Sequence, residues 1–279
     1  MKKQIVVVVK KELLIMKNLK ICLLLFIILF SCEYENPAFK FSNFYGTSAE
    51  NIAKAIKMND KNVIKKEISK GIDINFEDKK YEVSLLELAL VNQKKEAFDE
   101  LLESGANPNI ENSSCISPLI SAIRYQKDCD LYYIKHLLEY GANITPRFFQ
   151  KCNYFSHDPI NETIQYYSDE EIDCGLEILE LLLSKINNPD LLFMYNNTEN
   201  YRANVVYLCL STHKNLMALK FLIVDLGYKV PKEIFIDGTV LQGQEGFKSL
   251  KEILQSKKFV FPYSELREKA KEDILNYLK

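Results

Sequence analysis

Apolar residues between positions 48 and 145 fall three or four apart, the spacing that lines one face of an α-helix. Ala97 and Phe98 lead to Leu101 and Leu102, and Ile134 leads to Leu137 and Leu138. In ISPLISAI at 116–123, Leu119, Ala122 and Ile123 share one face in the same way. Alternating, strand-like patterns are rare and Gly and Pro number only 9 and 8, which favours an all-α chain. Each stripe belongs to a helix too short to bury it alone.

The stripes recur with a fixed period. LLESGAN at 101–107 returns as LLEYGAN at 137–143, an offset of 36 with six of seven residues identical. A weaker copy, ISKGIDIN at 68–75, puts Gly71 34 residues ahead of Gly105. A second phased element, VSLLELAL at 83–90 and ISPLISAI at 116–123, sets Ser84 and Ser117 33 apart. Periods of this size mark stacked supersecondary units, and the 279 residues then read as one elongated domain. Ser117 is placed to cap a helix whose first residue is Pro118, where a missing N–H costs nothing. Gly71, Gly105 and Gly141 follow the last apolar residues of a helix, where a left-handed residue ends it without a Cβ penalty. Asn107, Pro108 and Asn109, then Asn143, Ile144 and Thr145, are turn formers leading into the next unit.

SLLELA and SPLISA resemble the TPLHxA signature of ankyrin repeats, with Glu87 and Ile120 standing in place of the family histidine. The resemblance is most specific over 48–144 and continues with less specificity to 229. It implies an all-α ankyrin-repeat solenoid of stacked helix pairs, about four or five units with the last two divergent. GLEILELLLSK at 175–185 reads as a second-type helix, and VVYLCL at 205–210 with LMALKFLIVDLGYKV at 216–230 as a further pair ended by Gly227. A helical cap over 230–279 closes the stack: FKSLKEILQSK at 247–257 and SELREKAKEDILNYLK at 264–279 read as its two helices. Ser264 caps the latter, with Glu265 and Glu268 in its first turn, and a charged end keeps an open stack soluble.

The amino terminus sets location. ICLLLFIILF at 21–30 follows Lys17 and Lys20 and is too short to cross a bilayer core of roughly 30 Å as a helix, so it reads as a signal-peptide core. It ends in LFSC at 29–32, which resembles the lipobox of bacterial lipoproteins and implies that Cys32 is lipidated as the first mature residue. An uncleaved anchor, or cleavage elsewhere, is the alternative. Residues 1–15 are unusual for an export leader, and a start at Met16 accounts for them simply. The plan is therefore a signal peptide over 1–31, a lipid-anchored tether over 32–47, the repeats over 48–229 and the cap. Fully extended, the 15 residues from 33 to 47 could reach roughly 50 Å. Phe39, Phe41, Phe44 and Tyr45 are too apolar for a free linker, so part of the tether should pack on the first repeat.

Removing residues 1–32 takes six lysines and one glutamate from 36 basic and 38 acidic residues, leaving 30 against 37 and a mature charge of −7. That charge, without a basic stripe, argues against nucleic acid as partner. His136, His157 and His213 lie far apart with no HExxH or CxxC spacing, so neither a metal nor another cofactor is expected. GTVLQGQEG at 238–246 lacks the lysine of a phosphate loop, with Gln244 in its place, and reads as a connector. No GxSxG elbow occurs, and the expectation is a non-enzyme. Among Cys115, Cys129, Cys152, Cys174 and Cys209, buried free thiols are favoured, with one bridge, Cys115 to Cys129 or Cys152 to Cys174, as the alternative.

Ankyrin stacks bind proteins through hairpin tips and inner helices. By register, Phe76, Asp78, Lys79 and Tyr81 fall on one tip, Glu111, Asn112 and Ser113 on the next, and Glu87, Gln93, Arg124 and Tyr125 on the inner helices. Tyr81, Arg124 and Tyr125 are the residue types that most often carry interface energy. The expected function is protein–protein binding by a monomeric envelope lipoprotein, as a scaffold or as an immunity protein that neutralises a toxin. Fold alone does not name the partner. An envelope enzyme or ligand sensor built in the divergent region 146–200 is the competing class.

Overall fold

The computed structural model describes residues 36–144, 159–166, 172–187, 205–211, 215–262 and 264–279. The signal peptide and Cys32 lie outside the described residues, as do Cys152, His157, His213 and most of 146–200.

Twelve α-helices are present among the described residues, in agreement with the all-α class. Ten form successive pairs: α1 (Glu50–Met58) with α2 (Lys61–Ser69), α3 (Leu85–Val91) with α4 (Lys95–Glu103), α5 (Pro118–Tyr125) with α6 (Tyr132–Glu139), α7 (Pro159–Tyr166) with α8 (Ile172–Ser184), and α9 (Val205–Ser211) with α10 (Leu216–Lys220). A π-turn at Phe221–Asp225 prolongs α10. The first helices stack in order, α1 on α3, α3 on α5, α5 on α7 and α7 on α9, and α2 stacks on α4. One apolar core runs from Phe39 to Ile274 through all of them.

Local sequence explains the helix ends. Ser84 and Glu87 form a reciprocal capping box at α3, each side chain accepting the other's backbone N–H at 3.2 Å. Ser117 accepts from the Ile120 N–H at 3.4 Å, with Pro118 at the first helical position. At the other end, Gly105 (φ +95°) donates to the Leu102 carbonyl at 3.0 Å, and Ala106 to Leu101 at 2.9 Å. Gly141 (φ +83°) and Ala142 repeat both bonds with Leu138 and Leu137 at 3.2 and 2.8 Å. This Schellman closure is why the LLExGA string recurs.

The carboxy-terminal part departs from expectation. Phe247 and Lys248 belong to a strand, β2 (Gly246–Lys248), paired antiparallel with β1 (Ile234–Ile236). The helix read at 247–257 is only α11 (Leu250–Gln255), because Ser249 caps it with its own capping box to Glu252. The connector read at 238–246 runs between the two strands and ends in Gly246, the first residue of β2. All three β1 residues are buried, so tertiary packing made a strand of a run too short to show a period. The last helix, α12 (Glu265–Tyr277), begins at Ser264 as expected and packs on α10.

Cysteine pairing also differs. Cys129 is bonded to Cys174, which links the chain before α6 to α8 of the following pair across 45 positions. Neither pairing suggested by proximity in sequence forms, since each of those pairs needs one of these two residues. Cys115 is also disulfide-bonded, and Cys209 is a buried free thiol. Spacing along the chain carries no signal for a bond made by stacking adjacent pairs.

Candidate partner-binding surface

Polar contacts between neighbouring pairs keep the sequence period. The Asn107 N–H donates to Asn75 Oδ1 at 2.8 Å and the Asn143 N–H to Asn109 Oδ1 at 2.7 Å, while Asn109 Nδ2 reaches the Gly141 carbonyl at 2.9 Å. The Ala97 N–H donates to Asn59 Oδ1 at 2.9 Å. Lys95 Nζ lies 2.5 Å from Asp130, and the Tyr132 hydroxyl donates to Asp99. Asn75 and Asn109 stand at matched places after their glycines, so this ladder was visible in the sequence as a spacing. Read one loop at a time, they are only turn formers.

The turns that precede the first helices, here called tips, have their own frames. Asp78 is buried, and its carboxylate accepts the N–H groups of Lys80, Tyr81 and Val83 at 3.0, 2.9 and 2.9 Å. The next tip repeats this with Asn112, whose side-chain oxygen accepts from Ser114 and Ile116 at 3.0 Å each. Glu82 accepts from the Ser113 N–H at 2.6 Å, joining tip to tip, and the Ser113 hydroxyl and N–H hold its carboxyl below the usual range. Glu77 moves the other way. Burial, then Glu82, Asp78 and Asp73, raise it. Asp78 and Asn112 thus build the tips, while Lys79, Glu111 and Ser113 are exposed on them. Tyr81 is half-buried with Lys80 Nζ 4.7 Å from its ring centroid, and Phe76 packs against Phe44 at 6.0 Å.

The inner-helix residues have structural partners. Glu87 is only 3% exposed and accepts from the Ser121 hydroxyl at 2.8 Å, binding α3 to α5. Burial outweighs its hydrogen bonds and raises its pKa. Arg124 grips Glu162 of α7 with two nitrogens at 2.6 and 2.8 Å. Gln93 takes a left-handed backbone (φ +57°) after α3, and its side chain donates to the Leu90 carbonyl at 3.3 Å. Tyr125 is covered by the chain's own amino-terminal segment: Phe39 meets its ring edge-on at 5.1 Å and Asn36 donates to its hydroxyl at 3.1 Å. Of the residues proposed for partner contact, those assigned to the inner helices are therefore built into the frame, as are Phe76, Asp78 and Asn112 of the tips, while Lys79, Glu111, Ser113 and the half-buried Tyr81 remain presented.

That segment, with 3₁₀ turns at Pro37–Phe39 and Phe41–Phe44, forms a strap across the first helices. Asn92, which ends α3, donates to the Phe39 carbonyl at 3.0 Å, and the second turn packs on α1. Phe39 and Phe44 are buried, as the apolar tether suggested. Asn36, Asn92 and Glu162 were not singled out by sequence, because each acts through a partner 38 to 89 positions away. Among the described residues no group of three or more His, Cys, Asp or Glu could hold a metal, and no helix is long and apolar enough to cross a membrane. No protein-family model matches the chain, and no curated protein matches it.

Proposed function

We propose that this protein is a lipid-anchored cell-envelope repeat protein of ankyrin type that binds another protein through its tips, as a scaffold or immunity protein. The observation that carries the reading is the period-matched bonding of one pair to the next, which fixes a row of tips while leaving Lys79, Lys80, Glu111 and Ser113 exposed. Tyr81 beside Lys80 supplies an aromatic anchor of the kind that dominates interface energies. The disulfide between Cys129 and Cys174 supports export, because such bonds persist in oxidising compartments.

The test uses the Cys32→Ser protein as bait in an envelope extract from the source cells. One stoichiometric protein partner is expected, and Tyr81→Ala combined with Lys79→Glu should release it while the helical spectrum stays unchanged. Turnover of a small molecule with no stoichiometric protein partner would refute the reading.

A further inference from the structure

The strap does more than fill an apolar surface. It runs from Tyr125, the last residue of α5, past Asn92 at the end of α3, to α1. The tether is therefore not a free leash of 15 residues. Only four residue steps separate Cys32 from Asn36, and a chain spans at most about 14 Å over four steps. Asn36 in turn sits on the side of the stack where each first helix turns into its second.

That side has a distinct character. It carries Lys57 in the last turn of α1 and Lys61 at the start of α2, Lys94 between α3 and α4, and Lys127 between α5 and α6. Lys95 and Lys40 of the strap join them, and Asp60, Glu96, Asp128, Asp130 and, in the first turn of α8, Asp173 oppose them, so six positive charges stand against five negative. Met58, at the end of α1, is 77% exposed on the same side. The first tip, at the opposite end of these helices, is acidic, with Asp73, Glu77, Asp78 and Glu82 against Lys79 and Lys80. The edge beside the anchor is thus close to neutral among the described residues, and Glu33 and Glu35 follow Cys32 in the sequence, so nearness to the anchor, and not charge, sets this edge apart.

We infer that this turn edge lies against a lipid bilayer, with the strap as the spacer that holds it there and the tips directed outward. The inference rests on lipidation of Cys32. It adds the orientation of the body and the surface that meets the lipid. The short connection supplies the proximity, and Met58 is an exposed apolar side chain on the same edge. The tips then face a partner instead of lipid.

The experiment uses lipidated full-length protein in phosphatidylcholine vesicles containing phosphatidylglycerol and a rhodamine-headgroup acceptor. A donor dye is placed at Lys57→Cys or at Lys79→Cys without reductant, so that the disulfides and buried Cys209 stay unlabelled. Transfer should be stronger from position 57, and high salt should leave that order unchanged. Inserting about ten Gly and Ser residues after Glu33, worth a root-mean-square reach of roughly 17 Å, should erase the difference without disturbing the docked strap. Equal transfer from both positions in membrane-bound protein overturns the orientation alone. Recovery of unlipidated protein in the supernatant overturns the lipoprotein reading and this inference with it.

Discussion

Gly105 gives the sharpest test of how the repeat is built. Its φ of +95° is a backbone conformation that L-residues avoid, yet a Cβ placed there meets no atom within 4 Å. Replacement by alanine therefore introduces no clash, and its effect comes from backbone alone. Left-handed geometry costs an L-residue about 1–2 kcal/mol. Alanine returns about 0.4–1 kcal/mol by restricting the unfolded chain. The net expectation for Gly105→Ala is a loss of about 1 kcal/mol. With a urea dependence of about 2–3 kcal/mol per molar, the unfolding midpoint should fall by roughly 0.3–0.5 M. Asparagine, which visits this region more readily, should lose less, and β-branched valine more. The order of midpoints Gly, Asn, Ala, Val is the signature, because helix propensity alone would put alanine first. An alanine variant as stable as wild type would refute the closure argument, and Gly141→Ala should behave alike.

Three further expectations follow from the contacts between pairs. Burial raises the folded pKa of Glu87 above its unfolded value near 4.5, so the folded state holds the proton more tightly and stability falls as pH rises through that window. Glu87→Gln should be at least as stable as wild type at pH 7 and have a flatter stability profile from pH 4.5 upward; a steeper profile in the variant would contradict this. Glu162→Gln removes one partner of a bidentate pair whose side chains are 24% and 11% exposed, and the loss should be about 2 kcal/mol, below the roughly 3–5 of a fully buried pair, as read by urea denaturation. Cys129→Ser opens a loop spanning 45 positions, for which the chain-entropy relation gives about 4 kcal/mol. An oxidised Cys129→Ser variant with the wild-type urea midpoint would refute that stabilisation.

The helical frame was legible because it is written locally. Ser84 and Ser117 cap helices where their spacing placed them, and Gly71, Gly105, Gly141 and Gly227 all have positive φ. Short-range hydrogen bonds within one turn set these features, so a few neighbouring residues are enough to announce them. The candidate surface was half legible. Register assigned Lys79, Glu111 and Ser113 to the tips, where they lie exposed, but could not tell a presented residue from one turned inward to hold the tip, as Asp78 and Asn112 are.

By itself, then, the sequence determined the period, the helix faces and their ends, because a repeating unit carries its own capping and apolar stripe in every copy. Only the tertiary structure decided what those faces meet. Stacking joined Arg124 to Glu162 and Cys129 to Cys174, paired β1 with β2, and folded Phe39 back onto Tyr125. Such contacts depend on distances in space between residues far apart in the chain, and a pattern of hydrophobic spacing holds no record of them. The strap shows the difference best, since its aromatic residues marked it as buried while only the fold revealed that it runs back to the third pair.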